Sequence, residues 1–200
     1  MGPLAGAVNA QSGATSPPAA QDDQSKSDPL ARPTPAPTVH KAETLDTLFT
    51  KLKRARSKEE AKSINQAIQV RWLDSGSATV DLLMRRALKA MESKDYPLSL
   101  DILDAVVDLK PDYAEGWNKR ATVHYLRQDF GRSIGDIEQA LKLEPRHFGA
   151  LSGLGSIFRQ LGKEEDALRV FEQALTIYPR LESIQKAYSD LIDEIDGRGI

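Results

Sequence analysis

The chain has 200 residues, 40% of them hydrophobic and 28% charged, with a net charge of −2 and no cysteine. These values suit one soluble folded domain and lack the basic footprint of a nucleic-acid-binding protein. The missing cysteines exclude disulfides, thiolate metal sites and a thiol nucleophile, and no apolar run approaches the ~20 residues of a membrane-spanning helix.

Residues 1–42 are dominated by Pro, Ala, Ser, Thr, Gln and Gly, carry no Trp, Phe or Tyr, and sum to zero charge. Such a segment buries too little apolar surface to offset the entropy of ordering, so a disordered tail is expected. Val8-Asn9-Ala10 ahead of Gln11 has the small-x-small form of a signal-peptidase site. The apolar piece before it is shorter than an h-region of about 7–15 residues, so residues 1–10 read as the remnant of a longer signal peptide. That reading makes the protein periplasmic; the alternative is a cytoplasmic protein with an Ala-rich start. Pro17, Pro18, Pro29, Pro33, Pro35 and Pro37 suit a semi-extended spacer.

Leu45, Leu48, Phe49 and Leu52 fall on one face of a helix over about 43–55. Ser57-Lys58-Glu59-Glu60 is a capping box opening a second helix with Ala61, Ile64, Ala67, Ile68 and Trp72 on its apolar face. Residues 43–77 therefore form a helical hairpin, expected to be a degenerate leading repeat packed against the first regular one. Lys51, Lys53, Arg54, Arg56 and Lys58 make a basic run that reads as a solvated face, or as a contact for an acidic partner.

From residue 80 the chain repeats every 34 residues: Pro111, Pro145 and Pro179; Ala87, Ala121 and Gly155; Val106, Ala140 and Ala174. Three helical hairpins over 80–113, 114–147 and 148–181 follow, an all-α solenoid. Small residues must face each other where the backbones approach: Ala87 with Ser99, Ala121 with Ser133, Gly155 with Ala167. Each proline stops a second helix. Asp95 and Pro97 mark a helix start, and Gly162 a helix stop. Residues 182–196 carry Ile184, Tyr188, Leu191 and Ile195 on one stripe and polar residues opposite, as a capping helix must. The last five residues are expected to fray.

This pattern resembles the tetratricopeptide repeat (TPR) family, best in the third repeat through Leu151, Leu154, Gly155, Phe158, Ala167, Phe171, Ala174 and Pro179. More loosely, the whole layout resembles alphaproteobacterial periplasmic TPR proteins of the cell envelope. The resemblance implies a right-handed solenoid whose first helices line a concave groove. Its groove positions are Asp81, Met84, Arg85, Leu88 and Met91; Glu115, Asn118, Lys119, Thr122 and Tyr125; Gly149, Ser152, Gly153, Ser156 and Arg159. Some family members hold a C-terminal carboxylate with Lys, Asn and Arg; here Met84, Leu88, Gly149 and Gly153 replace that clamp.

The implied function is that of a non-catalytic scaffold docking a protein or peptide in the groove and supporting envelope assembly. The alternative is a cytoplasmic regulatory adaptor touching nucleic acid or an acidic partner through the basic first hairpin. Self-association through an uncovered first helix stays open. No cofactor or metal site is expected: Gly149, Gly153 and Gly155 lie inside a helix rather than in a phosphate loop, and the histidines are not paired. His124 reads as a packed histidine, and Gly149 and Gly153 read equally as groove floor or as a helix-packing device. Arg86 and Arg120 are expected to pair with Asp101 and Asp136.

Overall fold

Nine α-helices and no strand occupy residues 43–198, the part of the chain that the computed structural model describes. The expected disordered tail, with its expected signal-peptide remnant and spacer, lies outside the described residues. The helices are α1 (Leu45–Arg54), α2 (Lys58–Leu73), α3 (Ala78–Glu92), α4 (Tyr96–Leu109), α5 (Ala114–Leu126), α6 (Phe130–Leu143), α7 (Phe148–Gln160), α8 (Glu164–Ile177) and α9 (Glu182–Arg198).

Helix α3 pairs with α4, α5 with α6 and α7 with α8, and the hairpins stack in chain order. Equivalent positions are sealed in every copy: Leu103, Ile137 and Phe171, then Val106, Ala140 and Ala174. Each large side chain buried this way contributes about 1.5–3 kcal/mol. Asp95 caps α4 by accepting from the Leu98 N–H (3.2 Å), and Asp129 caps α6 by accepting from Arg132 (3.3 Å). The turns inside the three hairpins place Lys94, Gln128 and Gly162 at φ of 60°, 62° and 69°. Only glycine takes that left-handed backbone without steric cost.

The first two expected small-residue pairs meet. Ser99 donates to the Ala87 carbonyl (3.1 Å) and Ser133 to the Ala121 carbonyl (2.8 Å), so a hydroxyl satisfies the facing helix where the chains are close. In the third copy Ala167 is fully buried, and a Cβ on Gly155 would stand 2.4 Å from Phe171 Cε1. Gly155 is therefore a steric requirement.

The leading hairpin departs from expectation. Leu48, Phe49, Leu52, Ala61, Ile68 and Trp72 are buried as predicted, but Ala67 is exposed. Their core is completed by Phe148 and Tyr178 rather than by the first repeat. Trp72 stacks on His147 at 3.9 Å between ring centroids and 8° between planes. Arg146 lies over the Phe49 ring and donates to Asp46 (2.7 Å), while Arg180 donates to the carbonyls of Ala55 and Arg56 (2.8 and 2.7 Å). Lys58 pairs with Glu182. The hairpin is thus a side strap across the turns that join repeats two, three and the cap.

Ser57 caps α2 through the Glu60 N–H (3.1 Å), but the Glu60 carboxylate reaches the Arg56 N–H (2.7 Å) rather than that of Ser57. Helix α9 buries Ile184 and Leu191 on α8 and continues through Arg198, past the point where fraying is expected.

Candidate functional site

Helices α5 and α7 face each other across α6, and their shared wall has a hole in it. A cleft of about 240 Å3 opens there, lined by Asn118, Ala121, Thr122 and Tyr125 of α5, Ser133 and Ile137 of α6, and Gly149, Ala150 and Gly153 of α7. Five of the fifteen predicted groove residues converge on it: Asn118, Thr122, Tyr125, Gly149 and Gly153.

The glycines create the opening. A Cβ on Gly153 would meet only Ile137 Cδ1, at 3.7 Å, an ordinary contact. One on Gly149 would press at 3.3 Å on the His147 ring, which belongs to its own turn. Neither glycine is needed to bring two helices together, unlike Gly155. Glycine inside a helix costs about 1 kcal/mol relative to alanine, so the pair trades stability for an open floor.

The other predicted positions are placed differently. Met84 is a core residue of the first repeat, 1% exposed, packed with Val80, Ala87 and Leu103; this corrects its assignment to the groove. Leu88 and Met91 are half-buried against the same core, and Arg85 is exposed. Asp81 accepts from the Ser75 N–H (2.9 Å) and hydroxyl (2.5 Å), which holds its carboxyl below the usual range. Arg159 is tied to Glu194 of α9. Ser152 and Ser156 donate to the Phe148 and Ser152 carbonyls (2.6 and 2.9 Å), and Thr122 to the Asn118 carbonyl (2.8 Å).

Glu115 is also removed from the groove surface. It is 1% exposed, beneath the strap, and one carboxylate oxygen accepts from Asn118 (3.0 Å) and faces His147 Nε2 at 2.8 Å. The other oxygen forms an ion pair with Lys119 at 2.8 Å. His147 Nδ1 accepts from the Ala150 N–H (3.1 Å), which leaves Nε2 to carry the proton and donate to Glu115. Burial pushes the Glu115 pKa up, but the His147 hydrogen bond and the Lys119 charge outweigh it and hold the group at about 2. Lys119, a predicted groove cation, is therefore committed to Glu115.

A larger cavity of about 640 Å3 lies between α4, α5 and α6. Arg120 spans it, forked onto Asp136 (2.9 and 2.7 Å) and reaching Asp104 of the preceding repeat (2.8 Å). The predicted Arg120–Asp136 pair forms. Arg86 makes no ion pair with Asp101 among the described residues, because the position 34 residues before Asp136 is Ile102. His124 is buried beside Asp136 (3.8 Å), and burial lowers its pKa. In the basic run, Lys51 pairs with Glu43 and Lys58 with Glu182. No cluster of three or more metal-ligating side chains exists among the described residues, and no helix there is long and apolar enough to cross a membrane.

Sequence reasoning missed the Trp72–His147–Glu115 stack. Trp72 was assigned an apolar face without a partner, and His147, which lies one residue before a helix, could have been read as its cap.

A tetratricopeptide repeat family model matches residues 118–182. A TPR repeat-containing protein of Rhizobium etli is 46% identical over 153 residues, covering 76% of this chain and 75% of the relative. This chain belongs to the tetratricopeptide repeat family. The small glutamine-rich TPR-containing protein 2 of Saccharomyces cerevisiae is 26% identical over 138 residues, 69% of this TPR chain but only 39% of the yeast protein. Among solved structures, the Sgt2 TPR domain from Aspergillus fumigatus superposes with a TM-score of 0.58 at 17% identity, covering 62% of this chain and 83% of that one. The first TPR domain of Spaghetti (RPAP3), bound to the HSP90 peptide SRMEEVD, gives 0.56 at 19% identity, covering 58% and 93%. These likenesses establish the right-handed TPR solenoid.

Proposed function

We propose that this TPR protein is a non-catalytic interaction module that holds an extended segment of a partner protein on its concave face. The observation that carries this reading is the cleft between α5 and α7, opened by two glycines that helix packing does not require. An extended peptide needs close backbone approach and pockets for alternate side chains, which a glycine floor provides. The Spaghetti domain, which shares the fold, is bound to a peptide. We place the module in the periplasm, in support of the cell envelope, on the strength of the Val8-Asn9-Ala10 pattern.

A photo-crosslinking residue at Ser152, on the groove side, and another at Glu172, on exposed α8 surface, test the binding face in the native host. Discrete adducts from Ser152 and none from Glu172 are expected; the reverse pattern would reject the groove. Fusing the full reading frame to a reporter active only after export tests the compartment. An inactive fusion would reject the envelope role and leave the binding mode standing.

A further inference from the structure

We propose that the cleft between α5 and α7 takes one uncharged, apolar side chain of the partner segment and rejects a carboxylate. This rests on the groove reading above and names the chemistry that the groove selects.

The first argument is donor supply. A carboxylate taken out of water needs cations or several N–H and O–H donors aimed at it. Here most donors are already engaged within the protein. The Asn118 amide gives one N–H to Glu115, the Thr122 hydroxyl serves the Asn118 carbonyl, and the Ser133 hydroxyl serves the Ala121 carbonyl. What remains is the second Asn118 N–H and the Tyr125 hydroxyl, which itself accepts from Gln160. Two neutral donors without a cation do not replace the hydration of a carboxylate.

Charge points the same way. None of the nine residues lining the cleft is charged, and the neighbouring cations Lys119, Arg120, Arg132 and Arg146 are each paired with a carboxylate. The clamp positions carry Gly149 and Gly153 instead of cationic or amide side chains. The cleft is electrically neutral, and a neutral occupant complements it.

Shape supplies the third argument. An apolar cavity of about 150 Å3 accommodates a benzene ring, so about 240 Å3 admits one leucine, methionine or phenylalanine side chain. Ile137 lines the cleft beside the glycine floor, and the Tyr125 ring, 6.0 Å from the Phe130 ring between centroids, lines it as well. Such surfaces reward apolar contact and offer little to a charge.

The test uses the full chain and two fluorescein-labelled peptide pools with blocked ends. Both have Gly, Ser, Thr and Asn at random flanking positions; one fixes Leu, Met or Phe at the centre, the other Asp or Glu. Fluorescence anisotropy is expected to show the apolar pool binding at least about tenfold tighter, the discrimination a shaped apolar pocket gives. Gly153→Leu, which fills the cleft, should weaken that binding at least about tenfold, and Gly153→Ala, which fills less of it, should weaken it less. Thr122→Arg, a second variant on the opposite wall, should weaken the apolar pool and strengthen the acidic one. Circular dichroism confirms that each variant is folded.

Tighter binding of the acidic pool that still falls in Gly153→Leu would overturn the apolar assignment and leave groove binding intact. Apolar binding indifferent to Gly153→Leu and Thr122→Arg would overturn the assignment to this cleft. Retention of neither pool would overturn the proposal, and with no adducts from Ser152 the groove reading would fall as well.

Discussion

Trp72→Ala is the sharpest test of the strap. Trp72 is buried between Phe49, Phe148 and the stacked His147. Truncating a buried aromatic side chain to alanine costs about 3–5 kcal/mol. Its indole N–H, however, is buried without a hydrogen-bond partner. Deleting an orphan donor returns about 1–3 kcal/mol, so the net loss, taken at the middle of both ranges, should be about 2 kcal/mol. Trp72→Phe keeps much of the ring contact while removing the orphan, and should stay within about 1 kcal/mol of the wild type. Urea unfolding followed by circular dichroism reads the size of the effect, and hydrogen exchange reads its place. A repeat solenoid transmits stability only between neighbours, whereas the strap joins α1 and α2 to the turns before α7 and α9. Protection should therefore fall in α1, α2, the start of α7 and the start of α9, and persist in α3 and α4. A loss under about 1 kcal/mol, or early loss of protection in α3 and α4, would refute the strap's energetic role.

The buried Glu115 makes stability acid-sensitive in a defined window. Its folded pKa, about 2, lies below the ordinary 4.5, so its contribution is complete above about pH 4.5 and is lost as pH falls towards 2. Glu115→Gln should flatten the stability profile across that window relative to wild type; parallel profiles would count against the pairing. Gly155→Ala should destabilise by about 1–3 kcal/mol through overpacking against the buried Phe171 ring, despite the better helix propensity of alanine. A rise in Tm would show that the ring yields. Lys94→Gly and Gln128→Gly, both at left-handed turn positions, should each stabilise by about 1 kcal/mol, read as a thermal shift; a decrease would mean that their side chains matter more than their backbone.

The repeats were legible because one period controls several independent signals. Pro111, Pro145 and Pro179 end second helices, and Ala87, Ala121 and Gly155 sit at close approaches, so each copy checks the others. The groove was less legible. Met84 and Glu115 occupy positions that a repeat template assigns to the concave face, yet local packing buries both. Met84 joins the first repeat's own core, and Glu115 is buried against His147, on which the strap's Trp72 stacks. Nothing in periodicity could reveal this, since the strap belongs to no repeat and the aromatic and arginine side chains of later repeats that hold it lie 75 or more residues away in sequence. Gly149 and Gly153 show the complementary limit. Composition marks them as costly, but only the distance from Gly153 to Ile137 separates an open floor from a packing device.

The strap also imposes an order on synthesis. The ribosome delivers residues 45–73 first, with the apolar face of Leu48, Phe49, Leu52, Ile68 and Trp72 already made. Arg146, His147, Phe148, Tyr178 and Arg180, which cover or brace that face, follow much later. At about 5–20 residues per second, the interval between Trp72 and Arg180 is roughly 5–20 s. Repeats one and two can close on local contacts as they emerge, but the first hairpin must wait until the third is complete. The first two described helices are thus buried only after the third repeat is complete.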